Sequence, residues 1–326
     1  MNSITTEPTD KKLTYAMAEM MRKVESEPKP QMVYSGIKQG SIGFVFGPSK
    51  SGKSTYCEAL GMSIACGADE FLGVPILTKG AKVLSISLEE HYSNRTERNI
   101  KQIKTLTEKY GVGWLTDKYF TIGNELPGFI ETEEQWNELK SAIMTVEPQV
   151  IVIDSLTRLG TGKIEDSETA KGIMKKLHAL ASSTNTTVIC IHHTHKMYGQ
   201  PIGLDTLAGS RVIAQEAEFL IGINKSPAGV RYVKDVAFRY ARSNDDTVQT
   251  FEIDDNLWIT PTGLKYENKL LSPTDGRKNE QLDMKFRKLF ESKEIVTTKD
   301  LMGAFVESRD ITKQALFERV EKAIRG

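Results

Sequence analysis

Gly47-Pro48-Ser49-Lys50-Ser51-Gly52-Lys53-Ser54-Thr55 follows an apolar run at residues 42–46 and precedes Tyr56, Leu60 and Ile64, spaced four apart. The apolar run predicts a buried strand, and the four-residue spacing predicts a helix. A G-x-x-x-x-G-K-S loop between strand and helix is the setting in which backbone N–H groups converge on a polyphosphate, aided by the positive end of the helix. In that setting all nine residues line a phosphate site. Lys53 reaches the β- and γ-phosphates, and the Ser54 hydroxyl ligates Mg²⁺. The stretch therefore implies a bound nucleoside triphosphate.

Working outward, residues 34–261 alternate strand and helix patterns. Apolar strands are predicted at 83–88, 150–153 and 187–192, and helices at 91–110, 133–146 and 167–182. This alternation predicts an α/β fold with a mostly parallel sheet and helices on both faces. Further strands at 219–223, 232–239 and 248–253, joined by turns such as Ser243-Asn244-Asp245-Asp246, predict an antiparallel extension. Four segments result. Residues 1–33 hold an amphipathic helix, predicted at 10–25, and the linker Glu27-Pro28-Lys29-Pro30. Residues 34–262 form the α/β domain, and 263–280 read as a second linker from their turn-forming residues. Residues 281–326 show helical stretches at 282–290, 298–305 and 312–324, which fit a helix-turn-helix module or a small helical cap equally well.

Lys plus Arg and Asp plus Glu both total 43, so net charge provides no global attraction to nucleic acid, and any such contact is local. Cys57, Cys66 and Cys190 lie in apolar surroundings without metal-ligand spacing, which predicts buried thiols in a reducing cytoplasm. No apolar run approaches membrane-spanning length, so no membrane partner is expected.

Asp154 ends the run Val150-Ile151-Val152-Ile153, the pattern of a strand that delivers an acid to its C-terminal edge. There it can support Mg²⁺ beside Ser54. Glu89 and Glu90 end the strand at 83–88; a carboxylate at that edge can position the attacking water, and spacing does not choose between them. In His192-His193-Thr194-His195, alternation sends His192 and His193 to opposite sides. That favours one histidine near the γ-phosphate over a metal cluster. The loops leaving this edge carry Arg158 and Lys163, and then Lys196, as candidates for a nucleic-acid backbone. Arg239 and Arg242 close the 232–239 strand and are candidates for stabilising transition-state charge in an adjacent subunit.

The order of these motifs is more specific than any one of them. The loop at 47–55, Ser87-Leu88-Glu89-Glu90, Val152-Ile153-Asp154-Ser155-Leu156 and His192-His193-Thr194-His195-Lys196 together resemble the RecA-like ATPases. The resemblance is strongest to RepA-type plasmid replicative helicases, with DnaB-type helicases and KaiC-like ATPases as nearby relatives. Residues 209–218 resemble the segment after the DNA-binding loop of DnaB-like proteins, which adds Arg211 to the DNA candidates. Arg239, Arg242 and Asn244 resemble the basic finger segment that follows it.

The resemblance covers residues 34–259 and implies a RecA-like fold, ATP and Mg²⁺ as cofactors, and Glu89 as the catalytic carboxylate; of the histidine pair, His193 is taken as the catalytic candidate. It further implies a homo-oligomer, most simply a hexameric ring, with ATP between subunits, single-stranded DNA in the pore, and the N-terminal helix grasping a neighbour. The implied activity is that of a DNA-dependent ATPase serving as replicative helicase of a plasmid, phage or mobile element. Two rivals are a RecA-family recombination or loading ATPase that does not unwind, and a KaiC-like regulatory ATPase that ignores DNA. Two departures stand out. Arg239 and Arg242 are three apart where DnaB-like proteins place a Lys and an Arg two apart, and no primase-type domain is seen.

Overall fold

The computed structural model describes residues 14–308 apart from 196, 198, 244–246, 273–275, 293 and 294, together with 313, 316, 317 and 320. The N-terminal helix is α1 (Met17–Ser26); residues 10–13 of the predicted span lie outside the described residues. Ala16 precedes it in extended form, and Glu27, restricted by Pro28, ends it in extended form. None of its residues is buried, and Met17, Met21 and Val24 are exposed.

After the short hairpin β1 (Met32–Tyr34) and β2 (Ile37–Lys38), strand β3 (Ile42–Gly47) leads through the glycine-rich loop into α2 (Lys53–Cys66). A second hairpin, β4 (Glu70–Phe71) and β5 (Val74–Pro75), precedes β6 (Val83–Ser87), α3 (Tyr92–Tyr110) and α4 (Trp114–Asp117). Next come β7 (Tyr119–Thr121), α5 (Glu133–Val146), β8 (Val150–Asp154), α6 (Ser167–Thr184), β9 (Thr187–His193) and α7 (Arg211–Glu216). Four strands follow: β10 (Phe219–Lys225), β11 (Arg231–Phe238), β12 (Thr247–Ile253) and β13 (Ile259–Tyr266).

Nine strands form one sheet in the order β13-β12-β11-β10-β3-β9-β8-β6-β7. From β10 to β7 every pairing is parallel, and from β10 to β13 every pairing is antiparallel. Each residue of β3 is buried, which is why residues 42–46 read as a continuous apolar run rather than an alternating one. The C-terminal ends of β3, β6, β8 and β9 therefore share one edge, where ligand crevices of open α/β sheets form. β11 runs the opposite way. Arg231 stands opposite Lys225 at that edge, while Phe238 stands opposite Phe219 at the far edge.

Residues 263–280, predicted as a linker, are largely regular structure. β13 continues to Tyr266, and α8 (Glu267–Leu271) and α9 (Gly276–Glu291) follow. Of the turn-type residues that suggested a linker, Gly263 sits in an irregular edge strand, whose register with β12 shifts between Pro261 and Gly263 and leaves Thr262 as a bulge. Asn268 and Asn279 lie in α8 and α9, and residues 273–275 lie outside the described residues.

The chain divides into two compact units, Met1–Leu270 and Leu271–Gly326. In the first, α2 packs on the sheet through Leu60, Met62, Val83, Val152, Ile189 and Ile221. In the second, α10 (Thr298–Leu301) starts with a capping box between Thr297 and Asp300 and runs on through Met302–Glu307. Its core is Leu301, Phe305 and Leu316, with Phe286 stacked on Phe305 at 4.0 Å. Most of the helix predicted at 312–324 lies outside the described residues. Among the described residues no helix is long and apolar enough to cross a membrane.

Candidate active site

Gly47 ends β3 against β10 so closely that a Cβ there would lie 1.9 Å from the Ile223 carbonyl oxygen. Lys50 (φ 62) and Gly52 (φ 105) take left-handed backbone and fold the loop back over the start of α2. The N–H groups of Lys53, Ser54 and Thr55 have no backbone partner among the described residues, as expected of a first helical turn. Ser51 Oγ is buried without a hydrogen-bond partner, and Lys53 Nζ donates to the Pro48 carbonyl at 2.9 Å. Burial lowers the Lys53 pKa, with Asp154, Cys57 and Glu89 opposing that shift. Free helix donors, an orphaned hydroxyl and a buried cation suit a polyphosphate.

Ser54 Oγ donates to Asp154 Oδ2 at 2.6 Å, joining the loop to the end of β8. Burial raises the Asp154 pKa to about 6; the bond from Ser54 and the charge of Lys53 oppose the rise, while Glu89 and Glu58 add to it. Two hard oxygens, one on a carboxylate short of positive charge, fit a divalent cation such as Mg²⁺.

Glu89 and Glu90 diverge. Glu89 Oε1 accepts from Ser155 Oγ and lies 3.8 Å from His193 Nε2. His193 first, then Ser155 and the charge of Arg158, outweigh half-burial and draw the Glu89 pKa down to about 2. Glu90 turns instead to Arg98, 2.7 Å away. The structure thus brings Glu89, Asp154, Lys53 and Ser54 to one edge and takes Glu90 off it.

The two histidines part as alternation predicts. His192 is buried, with Nε2 2.9 Å from the Ala208 carbonyl, and burial pushes its pKa down to about 4, so it stays neutral. His193 is partly exposed beside Glu89. The chain returning from the next loop is tied to this strand: Ala208 N donates to His193 O at 3.0 Å and His195 N to Thr206 O at 3.1 Å.

Of the DNA candidates, Arg158 stacks over the exposed Phe129 ring at 4.2 Å, and its charge helps lower the Glu89 pKa. Lys163 and Arg211 are exposed. Their loops are held together by Ser210 N donating to Ile164 O at 3.0 Å and by Ser167 and Ser210 hydroxyls 3.2 Å apart. Lys196 and Asn244 lie outside the described residues.

Arg239 lies just past β11, at the edge opposite the phosphate loop, with Nη1 3.7 Å from Glu218 Oε1. The exposed Arg242 follows it in the chain. At about 3.4 Å per residue, β11 separates Arg239 from the loop of its own chain by roughly 24 Å. Arg231, at the other end of the strand, was not singled out by the sequence. Its Cδ lies 3.7 Å from where a Gly52 Cβ would be, and its Nε is buried without a partner. Strand direction is the missing signal, because an antiparallel strand brings its first residue to this edge. Ser155, which holds Glu89, was also missed as a site residue.

The family model described as AAA domain matches residues 12–198. Among solved structures, the ATPase domain of G40P is similar at 12% identity and TM-score 0.54, over 74% of this chain and 94% of that one. A KaiC-like protein from the hyperthermophilic archaeon Pyrococcus horikoshii is similar at 18% identity and TM-score 0.49, over 72% of this chain and 100% of that one. No curated protein matches in sequence. At these identities the likeness to solved structures concerns the fold.

Proposed function

This chain belongs to the AAA-domain family and has a RecA-like P-loop ATPase fold, and on that footing we propose that it is an oligomeric, Mg²⁺-dependent ATPase acting on single-stranded DNA. Within that class we assign it to the RepA-type replicative helicases of a plasmid, phage or mobile element, working in the cytoplasm. The observation that carries the reading is the division of the site: Lys53, Ser54, Glu89 and Asp154 lie at one sheet edge and Arg239 at the other. A head-to-tail ring, hexameric in this reading, sets the second edge of one subunit against the first edge of the next.

Each residue then has a task. The loop N–H groups and Lys53 hold the β- and γ-phosphates. Ser54 and Asp154 hold Mg²⁺, which when bound offsets charge on the phosphate oxygens. Glu89, ionised at neutral pH, orients the attacking water and takes its proton. His193 senses the γ-phosphate and passes its loss to the loop that returns at Ala208. Arg239 or Arg242 of the neighbour stabilises transition-state charge. Lys163, Lys196 and Arg211 meet the DNA backbone, and the exposed methionine face of α1 packs on the next subunit.

Hydrolysis measured with and without single-stranded DNA, together with strand displacement on a forked substrate, tests this. DNA-stimulated hydrolysis with displacement supports the proposal. Stimulation without displacement replaces it with a loading or recombination ATPase. Hydrolysis indifferent to DNA overturns it in favour of a regulatory ATPase.

A further inference from the structure

Arg98, on α3, sits between two carboxylates from different parts of the site. Its Nε and Nη2 donate to Glu58 Oε2 and Oε1 at 2.8 and 2.7 Å. Its Nη1 donates to Glu90 Oε1 at 3.1 Å, and Nη2 lies 2.7 Å from Glu90 Oε2. Every guanidinium nitrogen is engaged. Glu58 belongs to α2, the helix that begins with Lys53, and Glu90 directly follows Glu89. The Glu58 side chain is 6% exposed and that of Glu90 32%, so the pair is dry at the helix end and open at the turn end.

The turn is anchored at both ends, and Ser155 receives Glu89 once it points forward. Leu88 N donates to the Asp154 carbonyl at 2.7 Å on one side, and the His91 ring caps α3 by accepting from Ser93 N on the other. Between these anchors stand Glu89 and Glu90. Consecutive side chains leaving a strand diverge, so holding Glu90 back toward α2 turns Glu89 forward toward Ser155 and His193. A planar guanidinium suits this task, because its donor fork can satisfy two carboxylates at fixed angles where an ammonium cannot.

We infer that Arg98 is a positioning residue for hydrolysis: by clamping Glu90 to Glu58 it aims Glu89 at the γ-phosphate end of the loop. The inference rests on the reading of Glu89 as the catalytic carboxylate. Because Arg98 also covers the buried Glu58, its own replacement risks unfolding the chain, and the half-open Glu90 is the better handle.

The test compares Glu90→Ala, Glu90→Gln and Glu89→Gln in the full chain, reading kcat, KM for ATP and the Kd of a fluorescent ADP. A carboxylate displaced by about 1 Å loses on the order of 100-fold in rate, so Glu90→Ala is expected to lower kcat at least ~10-fold while KM and Kd move less than ~2-fold. Glu90→Gln keeps one of the two contacts through its amide oxygen, so it is expected to lose less rate than Glu90→Ala. Wild-type kcat in Glu90→Ala, a matching loss of ADP affinity, or equal damage from Glu90→Gln would each overturn the clamp. Glu89→Gln separates the two claims: if it still hydrolyses ATP, the reading of Glu89 fails and the clamp with it. If it is inactive while Glu90→Ala is normal, only the clamp fails.

Discussion

Arg239→Ala and Arg242→Ala are expected to leave each subunit able to bind nucleotide, while the variant of the true finger loses hydrolysis. Arg239 lies at the far end of β11, roughly 24 Å of strand from its own phosphate loop, beyond the reach of any side chain. Its ion pair with Glu218 is long, at 3.7 Å, and Arg239 is 53% exposed, so losing it costs the fold at most about 1 kcal/mol. Removing an arginine finger, by contrast, lowers kcat by about 10³ to 10⁵. The decisive assay mixes the inactive arginine variant with inactive Glu89→Gln subunits. In the proposed ring each interface would draw Glu89 from one subunit and the arginine from the next, so in an equal random mixture about one interface in four is intact. Hydrolysis should therefore return to roughly a quarter of wild type from two dead parents. If neither arginine variant regains activity in the mixture, or if both remain fully active alone, the shared-site reasoning is refuted. Loss of ADP binding together with hydrolysis in Arg239→Ala would place that arginine in its own site, against the strand geometry.

Four further outcomes follow from distances and charges. Burial holds the Asp154 pKa at about 6, so below that pH a proton occupies the carboxylate that Mg²⁺ needs. The Mg²⁺ concentration for half-maximal hydrolysis should rise by up to ~10-fold per pH unit below 6 and stay level above it; a flat dependence would exclude Asp154 as the ligand. The same raised pKa sets a stability sign. The buried acid is tolerated while protonated, so the Mg²⁺-free chain loses up to about 3 kcal/mol as pH rises from 4 to 6, and Asp154→Asn should abolish that slope in urea titrations. Gly47→Ala would drive a Cβ to 1.9 Å from the Ile223 carbonyl oxygen, and denaturant titration should find it at least ~3 kcal/mol less stable. Arg231→Ala frees an Nε that is buried without a partner beside Gly52, so nucleotide affinity should fall about 10-fold with little change in the Tm of the free chain; unchanged affinity would mean the arginine only lines the loop.

The parallel half of the sheet was legible because burial on both faces leaves a strand continuously apolar. β3, β8 and β9 are buried almost throughout and fall where their apolar runs predict. α5 matched its predicted span because a capping box at Thr132 and Gln135 marks its start. β7 is three residues long, too short for any period, and β13 is exposed at every position after Ile259, so no apolar pattern marked either. The pairing of Ser54 with Asp154 could be anticipated from a loop motif and a strand end. Arg98 could not, because its meaning lies in reaching Glu58, 40 residues earlier, on another helix.

Arg231 and Arg239 carry the most instructive difference. Both flank one strand, and the sequence drew attention only to the arginines at its end. In a parallel strand that end would join the site, but β11 is antiparallel to β10, so the order is reversed. The reversal gives the phosphate loop a neighbouring cation, Arg231, that no motif marks, and it carries Arg239 to the opposite edge. A side chain displaced in this way serves hydrolysis only if a second copy of the chain presents that edge to the loop. If Arg239 is the finger proposed above, one strand's direction ties the chemistry to assembly: a monomer kept apart by dilution would bind nucleotide and barely hydrolyse it, and a hydrolysis rate per subunit independent of protein concentration down to the monomer would contradict the proposal.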